Sequence, residues 1–260
     1  MASKDDFPAL RLDGVTVTTD SLRRVRLDPV RGESRTVLER ISLEVPRGRV
    51  FSILGESGGG KSTLLRCINR LVEPDRGSVE VLGRNVATWE IRELRRRAVY
   101  VPQRSFLFGG SVRDELLRAL SWNRLPEIKQ ALGEALERVH LQGVGLDTPA
   151  SELSEGQRLR LCLARAMLLR PEILLLDEPT GALDVRTSRE MLGALVTWAA
   201  ELQNTLIVVT HRPEDLEALG GDAAILLGGR IAGFHTAAEV LTGQVGPEVA
   251  QFLGAAKEEE

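Results

Sequence analysis

Four short apolar runs punctuate the chain, and none alternates cleanly between apolar and polar positions. They are "RVFSILG" (Arg49 to Gly55), "AVYVPQ" (Ala98 to Gln103), "EILLLDEPT" (Glu172 to Thr180) and "TLIVVTH" (Thr205 to His211). Runs this short, closed by turn residues, predict strands of a parallel sheet buried on both faces. Between them the spacing lengthens to that of a helix, in "KSTLLRCINRLV" from Lys61 and "REMLGALVTWAAELQ" from Arg189 to Gln203. Strands alternating with such helices predict an open, mostly parallel α/β sheet.

Two regions break the alternation. In residues 8–48, "LRLDGVTVTT" and "VLERISLEV" alternate apolar and polar positions, which predicts a small antiparallel layer of short strands and turns. Within it, the basic stretch Arg23 to Arg35 reads as a solvated hairpin, with a contact to lipid head groups or a partner loop as the alternative. Residues 104–170 hold almost nothing strand-like. "SVRDELLRALSW", "LPEIKQALGEALERVHL" and "GQRLRLCLARAMLLR" all carry helical periodicity, the second with Pro126 at a suitable first helical position. This stretch reads as a helical subdomain inserted into a core formed by 49–103 and 171–245. Residues 246–260 read as a short helix with a solvated acidic tail. The expectation is one domain over 1–260, without an added regulatory domain.

Composition narrows the class. With 43% hydrophobic and 27% charged residues, the chain is an ordinary globular sequence, and a net charge of -3 argues against a dedicated nucleic-acid binder. No apolar run approaches the roughly 20 residues that span a bilayer, and "MASKDDFPAL" has no signal-peptide character. Cys67 and Cys162 are far apart and lack metal-ligand spacing, so they read as buried free thiols in a reducing compartment. A membrane role would therefore run through a partner.

The candidate chemistry starts at "GESGGGKST", comprising Gly55, Glu56, Ser57, Gly58, Gly59, Gly60, Lys61, Ser62 and Thr63. It fits G-x-x-x-x-G-K-[ST] between a predicted strand and a predicted helix, the context of a P-loop. Glycines let backbone N–H groups wrap a phosphate, Lys61 reaches the β- and γ-phosphates, and the Ser62 hydroxyl binds Mg²⁺. Asp177 ends an apolar strand, placed as a second Mg²⁺ ligand, which leaves Glu178 to polarise an attacking water.

"LSEGQ" (Leu153 to Gln157), heading an Arg- and Ala-containing helix ahead of Asp177, separates this chain from other P-loop NTPases. Here the sequence resembles the ATP-binding cassette (ABC) ATPases over nearly its whole length, with the motifs in the family's order. The resemblance implies an α/β P-loop NTPase fold of the RecA-like kind, ATP and Mg²⁺ as cofactors, and ATP hydrolysis. It implies that Gln103 contacts the metal or water where membrane subunits dock, that Asp184 in "GALD" communicates between paired subunits, and that His211 contacts the γ-phosphate. It also implies that Ser154, Gly156 and Gln157 complete a site held by the P-loop of another subunit, in a homodimer or a heterodimer with a second ABC ATPase.

Two positions depart from the pattern. Glu155 replaces the usual glycine of the signature and is expected to face solvent. No Phe, Tyr or Trp lies between Leu10 and Val50, where an aromatic ring normally stacks on adenine. Leu27 or a nearby arginine is expected to cover the base, with weak base selectivity as the consequence.

The lack of a membrane span implies a separate ATPase subunit, peripheral on the cytoplasmic face of the cell membrane and coupled to an integral permease. "LRCINRLVEPDRGSVEVLG" and "LRRRAVYVPQRSFLFGGSVRDEL" resemble the phosphate-importer-like branch, which includes a bacterial iron-export ATPase pair and plant aluminium-tolerance ATPases. That implies a metal ion or inorganic anion as cargo. The alternative is a soluble ABC scaffold of iron–sulfur cluster assembly. The interval between Lys61 and Ser154 is too short for the coiled coil of a chromosome ATPase, and one motif set excludes a two-cassette translation factor.

Overall fold

The computed structural model describes residues 7–25, 33–125, 129–181 and 183–258. Its strands are β1 (Leu10–Thr18), β2 (Thr36–Val45), β3 (Val50–Gly55), β4 (Arg76–Val81), β5 (Arg84–Asn85), β6 (Ala98–Val101), β7 (Ile173–Asp177), β8 (Thr205–Thr210), β9 (Asp222–Leu227) and β10 (Arg230–Thr236). Its helices are α1 (Thr19–Arg24), α2 (Lys61–Ile68), α3 (Ile91–Arg97), α4 (Val112–Trp122), α5 (Lys129–Arg138), α6 (Glu155–Leu168), α7 (Val185–Leu202), α8 (Asp215–Leu219), α9 (Ala237–Thr242) and α10 (Pro247–Glu258).

The four apolar runs become β3, β6, β7 and β8 of a six-stranded sheet ordered β10-β9-β3-β8-β7-β6. All its pairings are parallel except β9 with β10. Alternate residues feed opposite faces: Ile173, Leu175, Ile207 and Val209 join the core under the N-terminal layer. Leu174, Leu176, Leu206 and Val208 join the core shared with α4–α7. Both faces are dry, which is why the runs lack alternation.

The antiparallel layer has the order β2-β1-β4-β5. It therefore takes residues 76–85 as well as 8–48, a correction to the sequence reading. Val79 and Val81 bury beneath it, opposite Leu12 and Leu10 of β1. A short helix, α1, with Leu22 buried, stands where only strands and turns were expected. Part of the basic hairpin, Pro126 and the last two acidic residues lie outside the described residues. The C-terminal helix expected from the sequence is α10, which buries Val249 and Leu253 in a third cluster with Leu54 and Ile225.

The β9–β10 hairpin turns on Gly228 and Gly229, both at positive φ (51° and 76°). Two glycines between apolar runs are the sequence signal that marks such a turn. Cys67 and Cys162 are buried and unbridged, and burial pushes the Cys67 thiol up to about 12. Among the described residues no helix is long and apolar enough to cross a membrane.

Candidate nucleotide site

Because β3, β6, β7 and β8 run parallel, their C-terminal ends open on one edge of the sheet. That edge carries Gly55, Gln103, Asp177–Glu178 and His211 together, the crevice position where open α/β sheets hold ligands. After β3 the chain makes the glycine loop and enters α2 with Gly60 as its N-cap at φ +95°. A Cβ at Gly60 would lie 2.7 Å from the Leu38 side chain and 3.0 Å from Val37 O, so both conformation and space require glycine. The loop borders a cleft of about 830 Å³ lined by residues 56–63, Glu178 and Gly228–Gly229.

Lys61 is almost fully buried, and its Nζ donates to Gly55 O (2.9 Å) and Glu56 O (2.8 Å). The same ammonium lies 3.3 Å from Glu178 Oε1. Glu178 sits at φ +48°, an uncommon backbone state for a side-chain-bearing residue, fixed by its N–H bonding Val209 O. Its Oε2 accepts from Gln103 Nε2 (2.8 Å) and lies 3.2 Å from His211 Nδ1, a close approach without hydrogen-bond alignment. Three of the residues named from sequence thus converge on one carboxylate. Gln103 meets Glu178 rather than Asp177 or Ser62.

Asp177 is 2% exposed. Its Oδ1 accepts from the Ser62 hydroxyl (2.8 Å) and its Oδ2 from the Tyr100 hydroxyl (2.7 Å). A hydroxyl and one carboxylate beside a phosphate cradle are hard oxygen donors of the number Mg²⁺ takes when phosphates and water complete its shell. Among the described residues no denser cluster of His, Cys, Asp or Glu suits a metal. The residues present therefore fit Mg²⁺.

Two supporting groups escaped the sequence reading. Thr180 and Thr210 donate their hydroxyls to the buried Asp215 carboxylate (2.8 and 2.6 Å), tying the loop after Glu178 to the strand end before His211. Burial pushes the Asp215 carboxyl above its ordinary value despite those bonds. Tyr100 is the other. Neither belongs to a motif with fixed spacing, and both act across strands far apart in sequence.

The signature residues stand elsewhere. Ser154 caps α6 in a reciprocal box with Gln157: Gln157 N–H donates to Ser154 Oγ (3.3 Å) and Ser154 N–H to Gln157 Oε1 (2.9 Å). Glu155 is exposed, as expected from its charge. Ser154, Gly156 and Gln157 line no part of the cleft of their own chain. Asp184 likewise caps α7 through Thr187, whose side-chain and backbone hydrogen bonds hold its carboxyl below the ordinary range. The cleft wall also includes Thr19, Leu22, Arg35 and Val37, and among the described residues no aromatic ring lines it. Leu27, one of the residues expected to cover a base, lies outside the described residues.

The family model described as ABC transporter matches residues 38–181, more than half of the chain. The chain belongs to the ABC transporter ATP-binding family. The sulfate/thiosulfate import ATP-binding protein CysA of Synechocystis sp. is 37% identical over 222 residues, which cover 84% of this chain and 62% of that ABC protein. A methionine import ATP-binding protein, MetN 2 of Yersinia pestis, is 36% identical and is covered over 67% of its length. The chain thus spans about two thirds of these ABC relatives. Among solved ABC structures, a bacterial Atm1-family exporter with ATP bound has a TM-score of 0.80 at 25% identity, covering 98% of this chain and 43% of that one. The cbiO1 subunit of Clostridium perfringens, part of the cbiONQ complex, has a TM-score of 0.77 at 24% identity, covering 92% of both chains.

Proposed function

We propose that this ABC chain binds and hydrolyses ATP and, as a subunit peripheral to the cytoplasmic face of the membrane, drives transport through a separate integral permease. The convergence of Lys61, Ser62, Asp177, Glu178, Gln103 and His211 on one sheet edge carries the reading. The loop N–H groups of residues 55–63 and Lys61 bind the phosphates. Ser62 and Asp177 would hold Mg²⁺, which would supply charge neutralisation for the phosphates. Glu178 accepts the proton of the attacking water at Oε2, and Gln103 and His211 orient that carboxylate.

The division of the chain is part of the same proposal: an antiparallel layer that includes residues 76–85, a split core, and an inserted helical segment over 104–170. Ser154, Gly156, Gln157 and Asp184 lie outside their own cleft, which supports a role across a dimer of two ABC chains. The permease face is argued from Phe106, Phe108 and Trp122. Phe106 and Phe108, in the segment that follows Gln103, and Trp122 at the end of α4 are exposed and stack edge to face (centroids 4.9 and 4.7 Å apart). An exposed aromatic cluster of this kind marks a protein contact. It favours the transport reading over the iron–sulfur scaffold. Relatives of nearly equal identity carry sulfate or thiosulfate in one case and methionine in the other, so similarity at this level does not choose a cargo; a metal ion or inorganic anion is the proposal from the branch resemblance.

Glu178→Gln is the test. It keeps ATP affinity, loses turnover by at least about 100-fold, and elutes as an ATP-dependent dimer in size-exclusion chromatography with light scattering. Near-normal hydrolysis would remove Glu178 as the base. Affinity purification of the tagged variant with ATP from solubilised membranes is expected to retain a multi-span protein at near-equal amount.

A further inference from the structure

Asp177 is the carboxylate on which metal binding depends, and it is buried. A desolvated carboxylate needs donors on both oxygens, or it turns or takes up a proton. Ser62 supplies one, on Oδ1, but its hydroxyl is also the group placed to ligate the metal. Oδ2 has a different donor, Tyr100, reaching 2.7 Å from the middle of β6. The Arg66 side chain, from α2 and the wall of the nucleotide cleft, hydrogen-bonds the same phenol. Burial and the neighbouring Asp177 push the phenol well above its ordinary value, so it stays protonated and donates throughout the neutral range.

We propose that Tyr100 is a positioning residue for the metal site, holding Asp177 Oδ2 so that Oδ1 stays aimed at the cation when Ser62 turns to ligate it. The proposal rests on the nucleotide-site reading above. Asp177 has two χ angles and, without an anchor on Oδ2, several orientations that point neither oxygen at the phosphates. The phenol is rigidly held, because its ring packs on the core beneath the N-terminal layer. Tyr100 touches neither substrate nor metal; it acts through Asp177.

The experiment is Tyr100→Phe on the non-hydrolysing Glu178→Gln protein, which keeps the ring and removes only the hydroxyl. Mn²⁺ binding in the presence of ATP is followed by electron paramagnetic resonance, and ATP affinity in EDTA by equilibrium dialysis. The expected result is Mn²⁺ affinity weakened about tenfold, the size of one hydrogen bond to a charged group, with metal-free ATP affinity unchanged. Adding Asp177→Asn should abolish the difference between Tyr and Phe at position 100. Unchanged Mn²⁺ affinity, an equal loss of metal-free ATP affinity, or a Tyr100→Phe effect of full size on the Asp177→Asn background would each overturn the proposal. A parent protein with no Mn²⁺-dependent ATP binding would overturn the nucleotide reading itself, and the proposal with it.

Discussion

An alanine methyl at Gly55 would lie 2.1 Å from Leu226 O and 3.1 Å from its carbonyl carbon. Both are backbone atoms of β9, paired in register with β3, so neither can yield without separating two strands. Gly55→Ala is expected to lower the thermal midpoint and weaken ATP binding together, checked by differential scanning fluorimetry with and without nucleotide. Gly58 is the contrast, since its Cβ would meet nothing within 4 Å and only its φ of +77° resists substitution, at a cost of about 1 kcal/mol. At this scale the sequence was most legible where chemistry imposes spacing. Lys61 and Ser62 could be named because a phosphate cradle requires them there, and Glu178 because it follows a strand-end aspartate. Tyr100 and Asp215 could not. Their roles depend on hydrogen bonds that reach residues 77 and 35 positions away, which no local pattern records.

Helices here are held at their ends by charge. Ser111 and Asp114 form a reciprocal box at the start of α4, as do Thr236 and Glu239 at the start of α9. Backbone and hydroxyl donors keep Asp114, Asp184 and Glu239 below their ordinary carboxylate values. At Asp75, bonds from Thr18 and Ser21 outweigh burial to the same effect. Folded values depressed below unfolded ones give stability that is present above the unfolded range, near pH 4, and lost as pH falls through the folded values. Asp215 runs the other way: its contribution is complete below the unfolded value and lost as pH rises through its raised folded value. Glu90, bonded by the first N–H groups of α3, is lowered too, so among the described residues five depressed carboxylates stand against one, and the thermal midpoint is expected to fall as pH drops below about 4, measured by calorimetry.

Between elements, one tie is fully buried: the carboxylate of Glu115 on α4. It accepts from the Phe108 and Gly109 N–H groups (2.5 and 2.8 Å) and from Arg165 Nη1 of α6 (2.6 Å). Arg118 and Arg165 in turn cover the Phe108 ring at 5.5 and 5.2 Å. One carboxylate thus ties two helices to the aromatic loop. Glu115→Ala removes the carboxylate from the partly exposed Arg165 and the acceptor from the Phe108 and Gly109 N–H groups, and should destabilise the fold by about 3 kcal/mol, read from urea denaturation. The helices were legible from their periodicity. Glu115 was not, because a buried acid reads in sequence as one more polar position on a helix.

At the scale of the molecule, the parallel sheet could be foreseen because burial on both faces leaves a mark in every strand. The antiparallel layer was legible in β1 and β2 but not in β4, which lies beyond the glycine loop and α2. No local signal tells such a strand to return to the N-terminal sheet rather than join its sequence neighbours. The cleft itself spans parts that sequence separates widely, from Thr19 to Gly229. Only the motif order announced it.

The sheet is not uniformly anchored. β3, β7, β8 and β9 have a strand on each side, whereas β6 is an outermost strand of four residues paired with β7 alone. Its amides are expected to exchange hydrogen faster than those of β8, measured by mass spectrometry on the native protein. That lightly tethered strand holds the phenol bonded to Asp177, and past its end the chain runs through Gln103 and reaches the first exposed ring, Phe106, three residues later. Both carboxylates of the candidate site are thus hydrogen-bonded to this edge strand or to the segment that leaves it. The two acids share one support: any displacement of that strand would reach both through these two hydrogen bonds.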